Sequence, residues 1–286
     1  MKTLILTLAI VLIAPTAHAK RTPSPDGKYN PEILERVLTE VQKTAQAGKR
    51  PVVIFDLDET LVNSRTRTLK ILRDFAKLET VKRRFNKESE TILKLTKNDA
   101  TIEKHALTMR SYGLYPDEIL KELGAYSDAF HNEIKKTYVD TYLSNAYCMT
   151  DVPMPGAVEY TKAISQAGAH IVYLTGRNRP GMGLCTDENL ILKNYVFGDP
   201  TKATLMMKPT LNADDTDFKV QAMNEVAKLG TVVAGFENEP ANLNAFKTAF
   251  PEGTYIFIDS MHSNRADVPH SGAVYIKDYK RLKQAE

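Results

Sequence analysis

Two carboxylates separated by one residue, Asp56 and Asp58, stand directly after the unbroken apolar run Val52-Val53-Ile54-Phe55. A buried strand has no reason to end in two acids, with Glu59 following at once, unless something positive is held there. On this motif alone a plainer reading stays open, a solvated strand end or the first turn of a helix. Three more apolar runs end in polar residues of complementary type. Residues 170–174 lead to Thr175, Gly176, Arg177 and Asn178, residues 203–207 to Lys208, and residues 231–234 to Gly235, Phe236 and Glu237. A hydroxyl, an ammonium and several acids gathered at one place suit phosphoryl transfer, where catalysis is mostly positioning and charge stabilisation.

For these groups to meet, the apolar runs must be parallel strands of one sheet. The intervening segments 155–167, 186–194, 216–229 and 240–250 carry helical patterns, so the alternation predicts an α/β fold with a Rossmann-like, doubly wound parallel sheet. In such sheets the carboxyl ends of the strands carry the site. Asn30 and Pro31 open an earlier helix with Ile33, Leu34, Val37, Leu38 and Val41 on one face. Residues 255–258 read as a further strand and 273–276 as an edge strand, before a basic C-terminal helix. After Asp58 an interruption of roughly ninety residues replaces the usual connection of ~4 to 6. Its segments 65–80, 89–95, 102–110 and 125–143, with Pro116 between, read as helices and predict an inserted helical cap.

With its four strand-end motifs in order, the chain resembles the phosphatase branch of the haloacid dehalogenase superfamily. Phe55-Asp56-Leu57-Asp58-Glu59-Thr60-Leu61 also looks like the first motif of exported bacterial acid phosphatases of that superfamily. The resemblance runs from Val52 to about Ser263. It implies a core over residues 20–64 and 150–286, a cap over 65–149, and a Mg²⁺-dependent phosphomonoester hydrolase acting on a small molecule. Asp56 is then the nucleophile that becomes an aspartyl phosphate, and Asp58 the group that protonates the leaving oxygen and later deprotonates water. The resemblance assigns the metal to Asp56, the Asp58 backbone carbonyl and Glu237, and the phosphate to Thr175 and Lys208. Asp58 argues against the dehalogenase branch, which typically lacks that second acid.

The fourth motif departs from the family's usual Asp pair. Glu237 stands at the metal-ligand position and Asn242, five residues on, matches the second acid as a neutral amide. The charge is lower and one arm longer, so a phosphate-binding protein with little turnover, or a phosphotransferase, remains as an alternative. Glu239, before Pro240, has a plainer reading as a helix-dipole partner.

Several other residues carry two readings. Arg177 and Asn178 reach either the substrate phosphate or a structural partner. His262 is either a substrate contact or a loop hydrogen-bonder. In the cap, Tyr112, Leu114, Tyr126 and Phe130 form either a leaving-group pocket or packing. Lys82-Arg83-Arg84 reads as a solvated helix face. Cys148 and Cys185, the only two cysteines, are either one disulfide across the cleft or two buried thiols.

The first nineteen residues read as a removable signal peptide, with Lys2, an apolar stretch over 4–13 and Ala17-His18-Ala19 as the cleavage site. That stretch is too short for a permanent membrane anchor. The expected location is therefore periplasmic or secreted. A formal net charge of +3, from 38 basic and 35 acidic residues, asks for no nucleic-acid partner.

Overall fold

The computed structural model describes residues 20–281; the leader read at 1–19 and the last five residues lie outside them. The core opens with α1 (Ile33–Gln46) and β1 (Pro51–Phe55), and the chain then leaves through a short strand β2 (Val62–Asn63). Six helices follow: α2 (Arg65–Ala76), α3 (Glu79–Arg84), α4 (Asn86–Leu95), α5 (Asp99–Thr108), α6 (Pro116–Glu122) and α7 (Asp128–Tyr142). The chain returns through β3 (Val152–Pro153) to α8 (Ala157–Gln166), β4 (His170–Asn178), α9 (Arg179–Leu192), β5 (Ala203–Lys208) and α10 (Asp215–Leu229). It ends with β6 (Thr231–Glu237), α11 (Pro240–Ala249), β7 (Thr254–Ile258) and β8 (Val274–Ile276).

Six strands form one sheet in the order β5-β4-β1-β6-β7-β8, every pair parallel. This is the doubly wound order, with its reversal between β1 and β6, the place where such sheets open a crevice. All five β1 residues are buried because both sheet faces are covered. Val53 and Phe55 pack with α1 and α8, while Val52 and Ile54 pack with α10 and α11. Phe55 stacks on Phe236 of β6, centroids 4.6 Å apart, which seats the two switch-point strands against each other.

Beyond Asp58 the chain turns sharply at Glu59, whose φ of 60° is left-handed and whose amide bonds to the Val62 carbonyl. Strands β2 and β3 then pair antiparallel, Val62 with Pro153 and Asn63 with Val152, closing a neck through which the long interruption leaves and returns. The helices above it bury an apolar cluster of their own, including Leu69, Leu72, Ile92, Ile119, Phe130 and Tyr138. The helix expected to run to residue 80 stops at Ala76, and Leu78, in extended backbone, separates it from α3. Helix α9 begins earlier than the pattern indicated because Asn178 caps it by accepting from the Gly181 amide. No helix follows β8 among the described residues; 277–281 are irregular.

Cys148, after the inserted helices, and Cys185 of α9 form a disulfide with a Cα separation of 5.6 Å. It ties the return path of the inserted segment to the core. Closing 37 residues of chain should stabilise the fold by about 2 to 4 kcal/mol through the unfolded state. Non-reducing mass spectrometry should find no free thiol, and Cys148→Ser/Cys185→Ser should lower the denaturant midpoint accordingly; unchanged stability would contradict the bridge.

Candidate active site

Asp56 lies at the β1/β6 reversal, its amide donating to the Phe236 carbonyl at 3.0 Å. Its Oδ1 accepts from Lys219 Nζ at 2.7 Å, and the same ammonium donates to Glu237 Oε2 at 2.6 Å. Glu237 Oε1 accepts the Asn238 and Glu239 amides, both at 3.0 Å. All three side chains are buried, so two acids share one cation. Burial raises the Asp56 carboxyl. Burial, then repulsion from Asp56, pushes Glu237 up to about 8 despite Lys219. For Lys219, burial opposes the charge, but Asp56 and Glu237 outweigh it and hold the ammonium above its ordinary value.

Asp58 lives in the opposite surroundings. Arg177 donates to it twice, Nε to Oδ2 at 2.7 Å and Nη2 to Oδ1 at 2.8 Å, and Arg67 Nη2 reaches Oδ1 at 2.9 Å. Behind the arginines sits Asp151, fully buried, which accepts from Arg177 Nη2 at 2.6 Å and from both Nε and Nη2 of Arg67. The Arg67 guanidinium also lies over the Tyr142 ring, 4.5 Å from its centroid. Burial opposes ionisation of Asp58, but Arg177 and Arg67 prevail and hold its carboxyl well below the usual carboxylate range. Among the groups around Asp58 the two arginines thus favour the carboxylate over the protonated form.

Asp56, Asp58, Arg67, Arg177, Lys219 and Glu237 line a cleft of about 370 Å³ with Thr175, and with Tyr112, Leu114, Tyr115 and Tyr142 from the inserted segment. Thr175 is buried, its Oγ accepting the Arg177 amide at 3.2 Å. Four expected ligands are placed otherwise. Lys208 turns away, donating to the Leu211 and Ala213 carbonyls and, at 2.5 Å, to Asp215 Oδ1. Asn178 is spent on its helix cap. Asn242 lines the cleft, but its amide oxygen accepts from Thr216 Oγ at 3.0 Å, so it does not join the acid pair. Arg177 holds Asp58 and Asp151 instead of standing free for phosphate.

His262 bonds to Thr22 and the Ser263 carbonyl, the loop role. Glu239 accepts from the Ser263 amide and hydroxyl and makes no side-chain cap for α11. Glu59 turns inward to Ser64 and Arg65 at the neck. Phe130 belongs to the apolar cluster of the helices, and Tyr126 bonds to Asp128; neither lines the cleft.

The residue that the motifs missed is Lys219. Lys219, Ala222, Met223 and Val226 form the buried stripe of α10, at i, i+3, i+4 and i+7. A lysine in such a stripe needs a buried partner, and that was the available signal. Arg67 and Asp151 had none, since each acts across the neck.

The donor chemistry fits a small hard cation. Asp56 and Glu237 are buried oxygen ligands that repel each other, and one ammonium leaves a negative charge uncompensated. No three His, Cys, Asp or Glu side chains that could hold a metal converge among the described residues.

A family model described as haloacid dehalogenase-like hydrolase matches residues 51–249. No curated protein matches the chain. Among solved structures, it is similar to a class C acid phosphatase from Bacillus anthracis with tungstate bound, at 13% identity over 80% of this chain and 77% of that one, TM-score 0.39. It is also similar to a putative phosphatase from Clostridium difficile, at 13% identity over 73% and 85%, TM-score 0.43. A family IA hydrolase from Entamoeba histolytica is similar at 13% over 80% and 93%, TM-score 0.42.

Replacing Lys219 by Met strands two buried acids without a cation and should cost about 3 to 5 kcal/mol of stability at neutral pH. Lys208→Met removes a pair whose Asp215 side chain is half exposed and should cost about 1 kcal/mol or less. Urea unfolding of both variants checks the order; equal losses would refute the placement of Lys219.

Proposed function

The chain belongs to the haloacid dehalogenase-like hydrolases, and from that premise we propose that it is a Mg²⁺-dependent phosphomonoester hydrolase working through an aspartyl phosphate on Asp56. The observation that carries the reading is the Lys219 ammonium 2.7 Å from the Asp56 carboxylate at the sheet reversal. There it balances the nucleophile in the resting state and the phosphoryl charge as it arrives.

In the first half-reaction an Asp56 oxygen attacks phosphorus, the bond from phosphorus to the ester oxygen breaks, and that oxygen takes a proton from solvent water and leaves as the alcohol. In the second, water attacks phosphorus, the bond from phosphorus to the Asp56 oxygen breaks, and inorganic phosphate leaves while the proton lost by the water passes to solvent, restoring the carboxylate. Thr175 donates its hydroxyl to a phosphoryl oxygen, and Lys219 holds Asp56 in line. Asp58, kept ionised by Arg67 and Arg177, accepts a hydrogen bond from the hydrolytic water and orients it. A Mg²⁺ ion on the Asp56 carboxylate, the Asp58 backbone carbonyl and Glu237 would supply further neutralisation of the phosphoryl oxygens.

Residues 65–149 serve in this reading as a cap that shields the reaction from bulk water. The disulfide supports export to an oxidising compartment, where such bonds persist, in keeping with the periplasmic or secreted location expected of the leader.

Asp56→Asn should abolish release of phosphate from p-nitrophenyl phosphate and trapping of the aspartyl phosphate while leaving the circular dichroism spectrum unchanged. Near wild-type turnover would remove Asp56 as nucleophile, whereas a wild type that binds phosphate without turnover would support a binding protein.

The raised carboxyl of Glu237 adds a pH dependence. A cation bound there must displace its proton, so Mg²⁺ affinity by calorimetry should rise with pH up to about 8. Glu237→Gln, which cannot lose that proton, should bind weakly and with a flat profile. Equal affinities in both proteins would take Glu237 out of the metal set.

A further inference from the structure

We propose that Glu239 makes the cleft select phosphomonoesters whose leaving alcohol carries an ammonium group, for which the carboxylate is the counter-ion; the inference rests on the phosphatase reading above and adds the substrate class to it.

Five acids line the cleft: Asp56, Asp58, Asp215, Glu237 and Glu239. Four of them already have a cation. Lys219 pairs with Asp56 and Glu237, Arg67 and Arg177 pair with Asp58, and Lys208 pairs with Asp215. Glu239 has none among the described residues. Its Oε1 accepts the Ser263 amide at 2.6 Å and its Oε2 the Ser263 hydroxyl at 2.8 Å. Both donors are neutral, and they fix the carboxylate on the cleft wall while leaving each oxygen able to accept again. The start of α11 favours a negative charge at this position but supplies no counter-ion. A half-buried carboxylate thus stands in the cleft with its charge unmatched.

The bases of the cleft do not fill that gap. Lys219, Arg67 and Arg177 are bound to the acids named above, and Arg265 turns to the start of α10, donating to Thr216 Oγ at 2.7 Å and to Asp214 Oδ2 at 3.2 Å. Ser263 and Asn264 beside it are neutral, as are Tyr112, Leu114 and Tyr115 on the inserted segment. Glu239 faces that segment: burial first, and the Glu239 charge next, raise the Tyr115 phenol, with Arg265 working the other way. A leaving group between the strand ends and the inserted segment therefore passes this carboxylate. Glu239 stands two residues beyond Glu237 in extended backbone, a spacing of about 7 Å that a two- or three-carbon alcohol can span. An ammonium at the end of that alcohol gains a charge-assisted hydrogen bond, whereas a methyl in its place gains none.

The test compares 3-aminopropyl phosphate with n-butyl phosphate, which differ only by an ammonium in place of a terminal methyl, as competitive inhibitors of p-nitrophenyl phosphate hydrolysis at saturating Mg²⁺. The wild type should bind the amino ester about three- to tenfold more tightly. Glu239→Gln, which keeps an acceptor for the Ser263 amide, should bring the ratio towards one, and Glu239→Ala, a second neutral variant, should do the same. Asp215→Asn, which removes an acid of the same cleft that already has its cation, should keep the ratio. A wild-type ratio near one would overturn the proposal whether or not the variants fold. A ratio preserved in the Glu239 variants, or lost equally in Asp215→Asn, would also overturn it, the second by marking a general effect of cleft charge. Because the readout is a ratio within one preparation, a partly folded variant does not distort it. Absence of p-nitrophenyl phosphate hydrolysis in the wild type would instead defeat the phosphatase reading itself.

Discussion

One ammonium between two buried carboxylates is the interaction around which the core is arranged. Lys219 can reach Asp56 and Glu237 together only because β1 and β6 are neighbours and α10 lies across that side of the sheet. The strand order supplies the first condition, and Ala222, Met223 and Val226, on the same face of α10 as the lysine, supply the second. Burying three charges is expensive, and their attraction offsets the desolvation only when geometry is close. The apolar packing therefore fixes the site, and the site in turn limits which packings are tolerated.

The second constraint is the neck. Arg67 is one of the first residues of the inserted helices, Asp151 the last residue before β3, and Arg177 a residue of the central sheet; all three close around Asp58 or one another. The seating of the helices over the cleft and the surroundings of Asp58 are thus parts of one network. The Cys148–Cys185 bond lies on the same side of the insertion, so the returning strand is held both covalently and electrostatically. Displacing the insertion would expose Asp151 and leave two guanidinium groups with fewer partners, at a cost set by the desolvation already incurred.

Much of the core was legible because its signals are local. A continuous apolar run marks a strand buried on both faces, and the strands that begin near Val52, His170, Ala203 and Thr231 all read correctly; of their polar ends, Thr175 and Glu237 line one cleft with Asp56. What failed to read was side-chain reach. Lys208 follows a strand as the ammonium was expected to, yet the loop after β5 folds back and takes it to Asp215 and two carbonyls. The ammonium beside Asp56 comes from a helix, eleven residues later in the chain. Asn178 shows the same limit: its place after Thr175 suited a phosphate contact, but the helix beginning there needed a cap. Partners such as Arg67 with Asp151, 84 residues apart, meet only through tertiary closure and leave no pattern along the chain.

Asp56 and Asp58 are chemically identical and two residues apart, so their difference is wholly environmental. Asp56 faces a second acid and shares a single cation with it, which favours retaining a proton within the pair. Asp58 faces two guanidinium groups that it shares with Asp151, which favours the carboxylate. Environments that push two neighbouring acids in opposite directions divide their roles without any change of residue type. Burial and mutual repulsion raise both carboxyls of the pair, so the two acids at the first and fourth strand ends titrate together. The longer arm of Glu237 brings one oxygen to Lys219 and the other to two backbone amides, an anchorage that fixes the lysine and, through it, the Asp56 carboxylate.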